Sequence, residues 1–229
     1  MPKEKSIFIA FLNQGSLRVE NVNLVTHLQQ NSPYKLFVTY PAHKPIANNR
    51  NTIVKRFLET DCDYLLMIDG DCIPPNGILT LADYDKDVIG ALCFGYLKKM
   101  IIPFCMQLNG EGTYDIVDVY QNSGIVECDA VGTGVIMIRR NVLEGMVKPF
   151  INEYDPEGLK IKGLDFNFCE KAKKKGYKVY CHTDMPTSHW TTMDLKHLWE
   201  TFNELRKQVS IRDMKLNELA KQLKQNNNG

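Results

Sequence analysis

The segment from Asp63 to Pro75 constrains the fold more than any other. The apolar run Tyr64-Leu65-Leu66-Met67-Ile68 leads directly into Asp69-Gly70-Asp71, and the chain then stops at Pro74-Pro75. A strand that alternates polar and apolar residues can leave one face in water. This run cannot, so it needs cover on both faces and belongs in the middle of a sheet. Its neighbours supply that cover. Ser6 to Leu12 reads as another buried strand and Tyr34 to Tyr40 as a third. Between them, Val19 to Gln30 reads as a helix with Val22, Val25 and Leu28 inward. Asn48 to Glu59 reads as a second helix, with Ile53, Val54, Phe57 and Leu58 inward. Strand-helix alternation of this kind predicts an open α/β domain with a parallel sheet.

The second half has a different grain. Val88 to Leu92, Pro103 to Leu108, Ile116 to Val119, Ile125 to Val131 and Val135 to Arg139 are short strands broken by glycines and polar turns. They predict a mixed or antiparallel extension of the sheet. Leu164 to Lys175 reads as a helix stopped by Gly176, and Lys178 to His182 as a last strand. From about Leu195 the chain reads as one long helix. Leu198, Phe202, Leu205, Val209, Leu216, Leu219 and Leu223 follow steps of four and three when Arg212 is counted in the row. Such a narrow seam flanked by Lys, Glu and Gln predicts a coiled coil between copies of the chain, the alternative being a helix docked on its own domain. The expected organisation is a domain over residues 1–192 and a helical extension over 193–229.

Bulk properties narrow the partners. At 229 residues the chain supports one well-buried core and is short for two. A net charge of +1 gives no overall pull toward nucleic acid or anionic membrane, so any nucleotide must be held by local groups. The seven cysteines are scattered, form no C-x-x-C pair and mostly sit in apolar runs, which predicts buried reduced thiols. The apolar run near the start is too short for a signal peptide, and no stretch is long enough to span a bilayer. A cytoplasmic protein is the expectation.

The chemistry concentrates after the central strand. A parallel strand delivers Asp69 and Asp71 to the carboxyl edge of its sheet, where open α/β folds bind ligands. The glycine between them allows a tight turn and a close ligand. Two hard oxygen donors at this spacing suit Mn²⁺ or Mg²⁺, with diphosphate oxygens and water completing the shell. Alone, such an acidic turn is equally a solubilising surface feature. Arg50, permanently charged and fork-shaped, is a candidate to neutralise diphosphate or brace the carboxylates.

This strand and its Asp69-Gly70-Asp71 resemble the D-x-D region of glycosyltransferases with the GT-A fold, notably the inverting family 2 and its relatives. Asn49-Arg50-Asn51-Thr52-Ile53-Val54 resembles the helix start that precedes the D-x-D strand. Asp129-Ala130-Val131-Gly132-Thr133-Gly134-Val135 through Arg140 resembles the strand pair bordering the acceptor site. Gly163-Leu164-Asp165-Phe166-Asn167-Phe168-Cys169-Glu170-Lys171-Ala172 resembles the acidic motif that opens the catalytic helix. These segments come in the family's order and cover roughly Ser6 to Trp190. The resemblance implies a Rossmann-like mixed sheet flanked by helices and transfer of a sugar from a nucleotide-diphosphate sugar, UDP being the favoured nucleotide. Asp165 is implied as catalytic base, a carboxylate within reach of the acceptor hydroxyl, although aspartate is also a common helix cap. His189 is implied to complete a metal shell with Asp69 and Asp71. Phe11 and Asn13, at the end of the first strand, are expected to touch the base, with Arg50, Asp69, Gly70 and Asp71 on the donor. Gly132, Thr133 and Gly134 are expected to admit donor sugar or acceptor close to the backbone, a plain hairpin turn being the alternative. The sequence departs from the family at Leu164, where a second acid is usual.

Three other readings compete: a retaining glycosyltransferase, a nucleotidyltransferase on a related sheet, and a non-catalytic assembly module built on the terminal helix. The second lacks its glycine- and lysine-rich triphosphate loop, since neither G-x-x-x-x-G-K-[ST] nor G-x-G-x-x-G occurs.

Overall fold

The computed structural model describes residues 4–97 and 100–226, with side chains of the last helix described through Val209 and at Arg212 and Lys215. Strand β1 (Ser6–Leu12), helix α1 (Val19–Asn31), β2 (Lys35–Thr39), α2 (Ile46–Leu58) and β3 (Tyr64–Asp69) alternate as the sequence implies. There follow β4 (Cys72–Ile73), a 3-10 turn at Ile78–Tyr84, β5 (Val88–Leu92), β6 (Phe94–Leu97), β7 (Met100–Pro103), β8 (Cys105–Leu108) and β9 (Tyr114–Ile116). Then come β10 (Ile125–Cys128), β11 (Ala130–Val131), β12 (Val135–Arg139) and the single turn α3 (Arg140–Leu143). The last elements are β13 (Glu153–Tyr154), β14 (Lys160–Lys162), α4 (Leu164–Lys174), β15 (Val179–Pro186), β16 (Ser188–His189) and α5 (Leu195–Asn226).

The main sheet has seven strands in the order β10-β15-β5-β12-β3-β1-β2. β1 lies parallel to both β2 and β3, and β15 lies parallel to β5. β12 runs antiparallel between β3 and β5, and β10 antiparallel to β15 at the edge. This mixed sheet between helices is the GT-A-type architecture implied by the sequence.

The two-sided cover demanded by β3 is present. Every residue of β1 is buried, and so is β3 up to Ile68. Alternation sends Phe8, Ala10, Leu12, Leu65 and Met67 to one face, where they pack with Ile53, Val54 and Phe57 of α2 and Leu164, Phe168 and Ala172 of α4. The opposite face carries Ile7, Ile9, Phe11, Leu66 and Ile68 against Leu24, Val25 and Leu28 of α1 and the 3-10 turn. Val22, expected on the inner side of α1, is half exposed, and its neighbour Asn21 is fully buried instead. All seven cysteines are buried free thiols.

Several element boundaries differ from the sequence expectation for identifiable reasons. α2 starts at Ile46 rather than Asn48, directly after Pro45. The expected strand Ile116 to Val119 ends at Ile116, because the Asp118 carboxylate accepts the Tyr120 and Gln121 amides and turns the chain. The expected strand Ile125 to Val131 divides at Asp129: β10 stays in the main sheet while β11 pairs with β8. The buried Asp129 side chain holds this switch, accepting the Leu108 amide at 2.6 Å and an ion pair from Lys173.

By contact the chain divides into two compact units, one of residues 1–95 and 101–190 and one of 96–100 and 191–229. Within the second, α5 is 32 residues of helix, and Tyr96 packs against His197 and reaches Thr201. Leu195, Trp199, Phe202, Leu205 and Val209 are exposed on this helix. The side chains of Leu216, Leu219 and Leu223 in the expected seam lie outside the described residues. Among the described residues no helix is long and apolar enough to cross a membrane.

Candidate active site

The turn at Asp69-Gly70-Asp71 is fixed from several sides. The Asp69 amide donates to the Gly134 carbonyl of the neighbouring strand at 2.7 Å. Asn21 of α1 donates its side-chain amide to the Gly70 carbonyl at 2.9 Å, and the Trp190 amide donates to the Asp71 carbonyl at 2.8 Å. A Cβ on residue 70 would lie 2.7 Å from the Leu12 carbonyl oxygen, a main-chain atom of β1 that has no room to move. The sequence requirement for glycine here is therefore steric.

The two carboxylates have different tasks. Asp69 is clamped by Arg50 of α2, whose Nη2 donates to both carboxylate oxygens at 2.8 Å. Arg50 is almost fully buried, and its guanidinium also lies over the Phe150 ring. Burial nevertheless pushes the Asp69 pKa up to about 6, against the lowering effect of Arg50, with Asp165 and Asp71 adding to the rise. Asp71 projects further into solvent. Its Oδ2 lies 3.6 Å from Nε2 of His189, and that partner lowers its pKa.

His189 reaches this position through two-residue strands: β16 pairs antiparallel with β4, setting His189 opposite Cys72. Its Nδ1 makes a 2.6 Å hydrogen bond to the Phe94 carbonyl, which assigns Nδ1 as donor and turns Nε2 toward Asp71. The Asp71 carboxylate, then the Phe94 carbonyl, raise the imidazole to about 9.

The site's fit to a divalent cation can be judged from these donors. Ligand atoms of Asp71, Cys72 and His189 all lie within 4.8 Å of one another. The Cys72 thiol is a poor candidate: the adjacent Cys93 thiol and burial hold it protonated. Carboxylate and imidazole remain, a pair acceptable to Mn²⁺. Cis ligands with bonds of about 2.1 Å stand about 3 Å apart, close to the spacing seen between Asp71 and His189. Gly134 lets the main chain pack closely beside the site, since a Cβ there would meet the Cys72 sulfur at 2.9 Å and the Cys93 sulfur at 3.3 Å. The residues fit a cation held by Asp71 and His189, which would displace the Nε2 proton that the Asp71 carboxylate stabilises in the metal-free site. Asp69, grouped with them by sequence, is engaged by Arg50 and stands outside this cluster.

Asp165 sits in the first turn of α4, half-buried, and is close enough to Asp69 to raise its pKa. The buried Thr133 hydroxyl donates a short hydrogen bond to its Oδ1. Thr133 thus belongs to the carboxylate's setting as well as to the Gly132-Thr133-Gly134 turn. Leu164, the departure from the family pattern, is buried in the core that covers α2 and α4. An acid there would need a partner inside an apolar cluster; leucine instead anchors the start of the helix.

The end of β1 is less open than expected. Phe11 is fully buried on the α1 face and stacks on Tyr40 with ring centroids 5.9 Å apart, so only its main chain lies at the sheet edge. The Asn13 side chain is spent on the local turn, donating to the Tyr40 and Pro41 carbonyls and accepting from the Gly15 amide. Sequence reading passed over Asn21, Trp190 and Arg18, the last with its guanidinium 4.1 Å over the Trp190 ring. No periodic or motif signal marks these three; they are placed by the turn they brace.

No protein-family model and no curated protein sequence matches this chain. Among solved structures, the chain is similar to "A197 from STIV", with 21% identity over 82% of this chain and 86% of that one, at a TM-score of 0.54. The two share a fold. Matches below a TM-score of 0.5 include GalNAc-T7 solved with UDP, GalNAc and Mn²⁺, at 12% identity and 0.49, where 83% of this chain spans 44% of that one. The inositol-1-phosphate CTP transferase from T. maritima matches at 11% identity and 0.45, over 89% of this chain and 96% of that one.

Proposed function

We propose that this chain is a metal-dependent glycosyltransferase that moves a sugar from a nucleotide-diphosphate sugar, UDP favoured, to an acceptor hydroxyl with inversion. The observation that carries the reading is one constellation at the carboxyl end of β3. Asp71 and His189 form a cation-ready pair, Arg50 fixes Asp69, and Asp165 heads a helix close by.

Mn²⁺ or Mg²⁺ held by Asp71 and His189 would offset negative charge on the departing diphosphate. The chain's own residues do the rest. Thr133 occupies Oδ1 of Asp165 and orients the carboxylate, leaving Oδ2 to accept the proton of the attacking hydroxyl. Arg50 keeps Asp69 in place as donor-side wall. Gly132 and Gly134 are packed against Phe104, Cys93 and Cys72 and so set Thr133 beside Asp165, and Asn13 shapes the turn at the sheet edge where the nucleotide base would lie.

In this reading residues 1–192 are the catalytic domain, and the exposed apolar side of α5 joins copies of the chain. Incubation with UDP-sugars and Mn²⁺ tests it: metal-dependent release of UDP, with the transferred sugar's anomeric configuration inverted by NMR, is the expected result. Retention of configuration would remove the base role from Asp165, and release of pyrophosphate from a nucleoside triphosphate and a sugar phosphate would replace the reading with nucleotidyl transfer.

A further inference from the structure

A cavity of about 740 Å³ opens beside α2, and neither Asp71 nor His189 lines it. Its volume is in the range that holds a small ligand. Lys44, Lys55 and Lys148 line it together with the His43 ring, and among the described residues no carboxylate does. This follows from an unusual stretch of sequence: from residue 21 to residue 58 there is no aspartate or glutamate. The first turn of α2 accordingly carries no acid. Among the described residues none of the three lysines forms an ion pair. Two acids adjoin the lining in sequence: Glu153 lies 3.6 Å from Lys162, and the Asp155 carboxylate accepts the Leu159 amide. Unpaired cations of one sign converging on a concave surface create a field that only an incoming anion can satisfy.

The wall opposite α2 is built rather than loose. Asn51 donates to the Phe150 carbonyl at 2.7 Å and accepts the Phe150 amide at 3.1 Å. Lys171 of α4 donates to the Lys148 carbonyl at 2.9 Å. Pro45, Ile151 and the ring of Tyr154 add apolar surface between the charges. A site with rigid walls loses less entropy when it takes a ligand.

The cavity is also mechanically joined to the proposed reaction centre. Phe150 lies under the guanidinium of Arg50, the residue that clamps Asp69, and stacks on Phe168 of α4 with centroids 4.6 Å apart. Phe168 is one helical turn from Asp165. A ligand held here would touch α2, which carries Arg50, and Phe150, through which it would bear on Phe168 of the helix that carries Asp165.

We propose that this cavity binds the phosphate group of a phosphorylated acceptor, with Lys44, Lys55 and Lys148 on the phosphate and Tyr154, Pro45 and Ile151 against the body that bears it. The word acceptor rests on the transferase reading; the anion site does not. A small phosphate ester fits better than a nucleic acid, because the charge is confined to one cavity while the chain as a whole carries only +1.

The test is calorimetric titration of the full chain with a hexose 6-phosphate at low salt, without nucleotide or divalent metal. Binding at about 1 mM or tighter, competition by inorganic phosphate and no binding of the unphosphorylated hexose are expected. In Lys55→Ala/Lys148→Ala the affinity falls by about tenfold or more, while the melting temperature stays that of the wild type, since both side chains are exposed. Equal binding by the double variant, equal binding of the free hexose, or displacement of the phosphates by a single-stranded oligonucleotide at lower concentration overturns the proposal. Because no donor or Mn²⁺ is present, failure here leaves the transferase reading standing, and failure of that reading leaves this result interpretable.

Discussion

Replacing Arg50 with methionine isolates the electrostatic design of the site. Arg50 is 2% exposed and gives both of its Asp69 hydrogen bonds at 2.8 Å, while the Asp69 side chain keeps 25% exposure. Methionine fills much of the same volume but leaves the carboxylate without its cation. Stranding one member of a buried pair costs about 3–5 kcal/mol, equivalent to a fall in melting temperature of about 6–12 °C at the lower figure for a chain of this size. The cost also depends on pH, with a sign fixed by Asp69. In the wild type its pKa is already raised to about 6 from a usual 3.8, so folding takes up a proton in that window and metal-free wild-type stability falls as pH rises through it. Arg50 lowers that pKa, so its loss lifts the value above 6. Between the two values the folded variant holds a proton that the folded wild type does not. The gap in stability therefore widens from pH 6 toward pH 8, by about 1.4 kcal/mol for each unit of added shift. Urea unfolding of both metal-free proteins at pH 6 and pH 8 measures this. A gap of the same size at both pH values would refute the assignment of Arg50 as the counter-charge that keeps Asp69 ionised.

Other consequences follow from the same geometry. Asp165→Asn retains the shape but not the base, so transfer falls by about 10²–10⁴-fold while UDP binding, followed by calorimetry, persists; unchanged turnover would contradict the role. Gly70→Ala drives a Cβ onto the Leu12 carbonyl oxygen and costs about 1–3 kcal/mol, so its melting temperature drops by at least about 2 °C; an unaltered melt would show that the turn can relax. Phe202→Glu/Val209→Glu places charges on the exposed apolar side of α5, and light scattering is expected to show the wild-type oligomer becoming a monomer. The same mass for both proteins would mean that this face does not join copies.

The legible part of this molecule was the part governed by periodicity. β3 announced its central position because no residue from Tyr64 to Ile68 tolerates water, and the structure buries it on both faces. Ile53, Val54 and Phe57 fell on the inner side of α2 because their spacing is helical. The site was harder to read. His189 approaches Asp71 through β4 and β16, strands too short to show any alternation, and through a carbonyl at Phe94 that no sequence pattern marks. Phe11 sat in the right strand for the ligand edge, yet the two-residue alternation of β1 turns its ring into the α1 core. Asp129 looked like a residue within one strand, whereas its carboxylate is the point at which the chain changes sheets. In each case tertiary hydrogen bonds, set by residues distant in sequence, decide what local pattern leaves open.

The central claim concerns the cation held by Asp71 and His189 beneath a nucleotide diphosphate. Electron paramagnetic resonance titration of the full chain with Mn²⁺, with and without UDP, addresses it directly. One tightly held Mn²⁺ per chain is expected, tightened further by UDP and weakened by about tenfold or more in Asp71→Asn and in His189→Ala. Mn²⁺ affinity that is indifferent to UDP and to both substitutions would contradict the account.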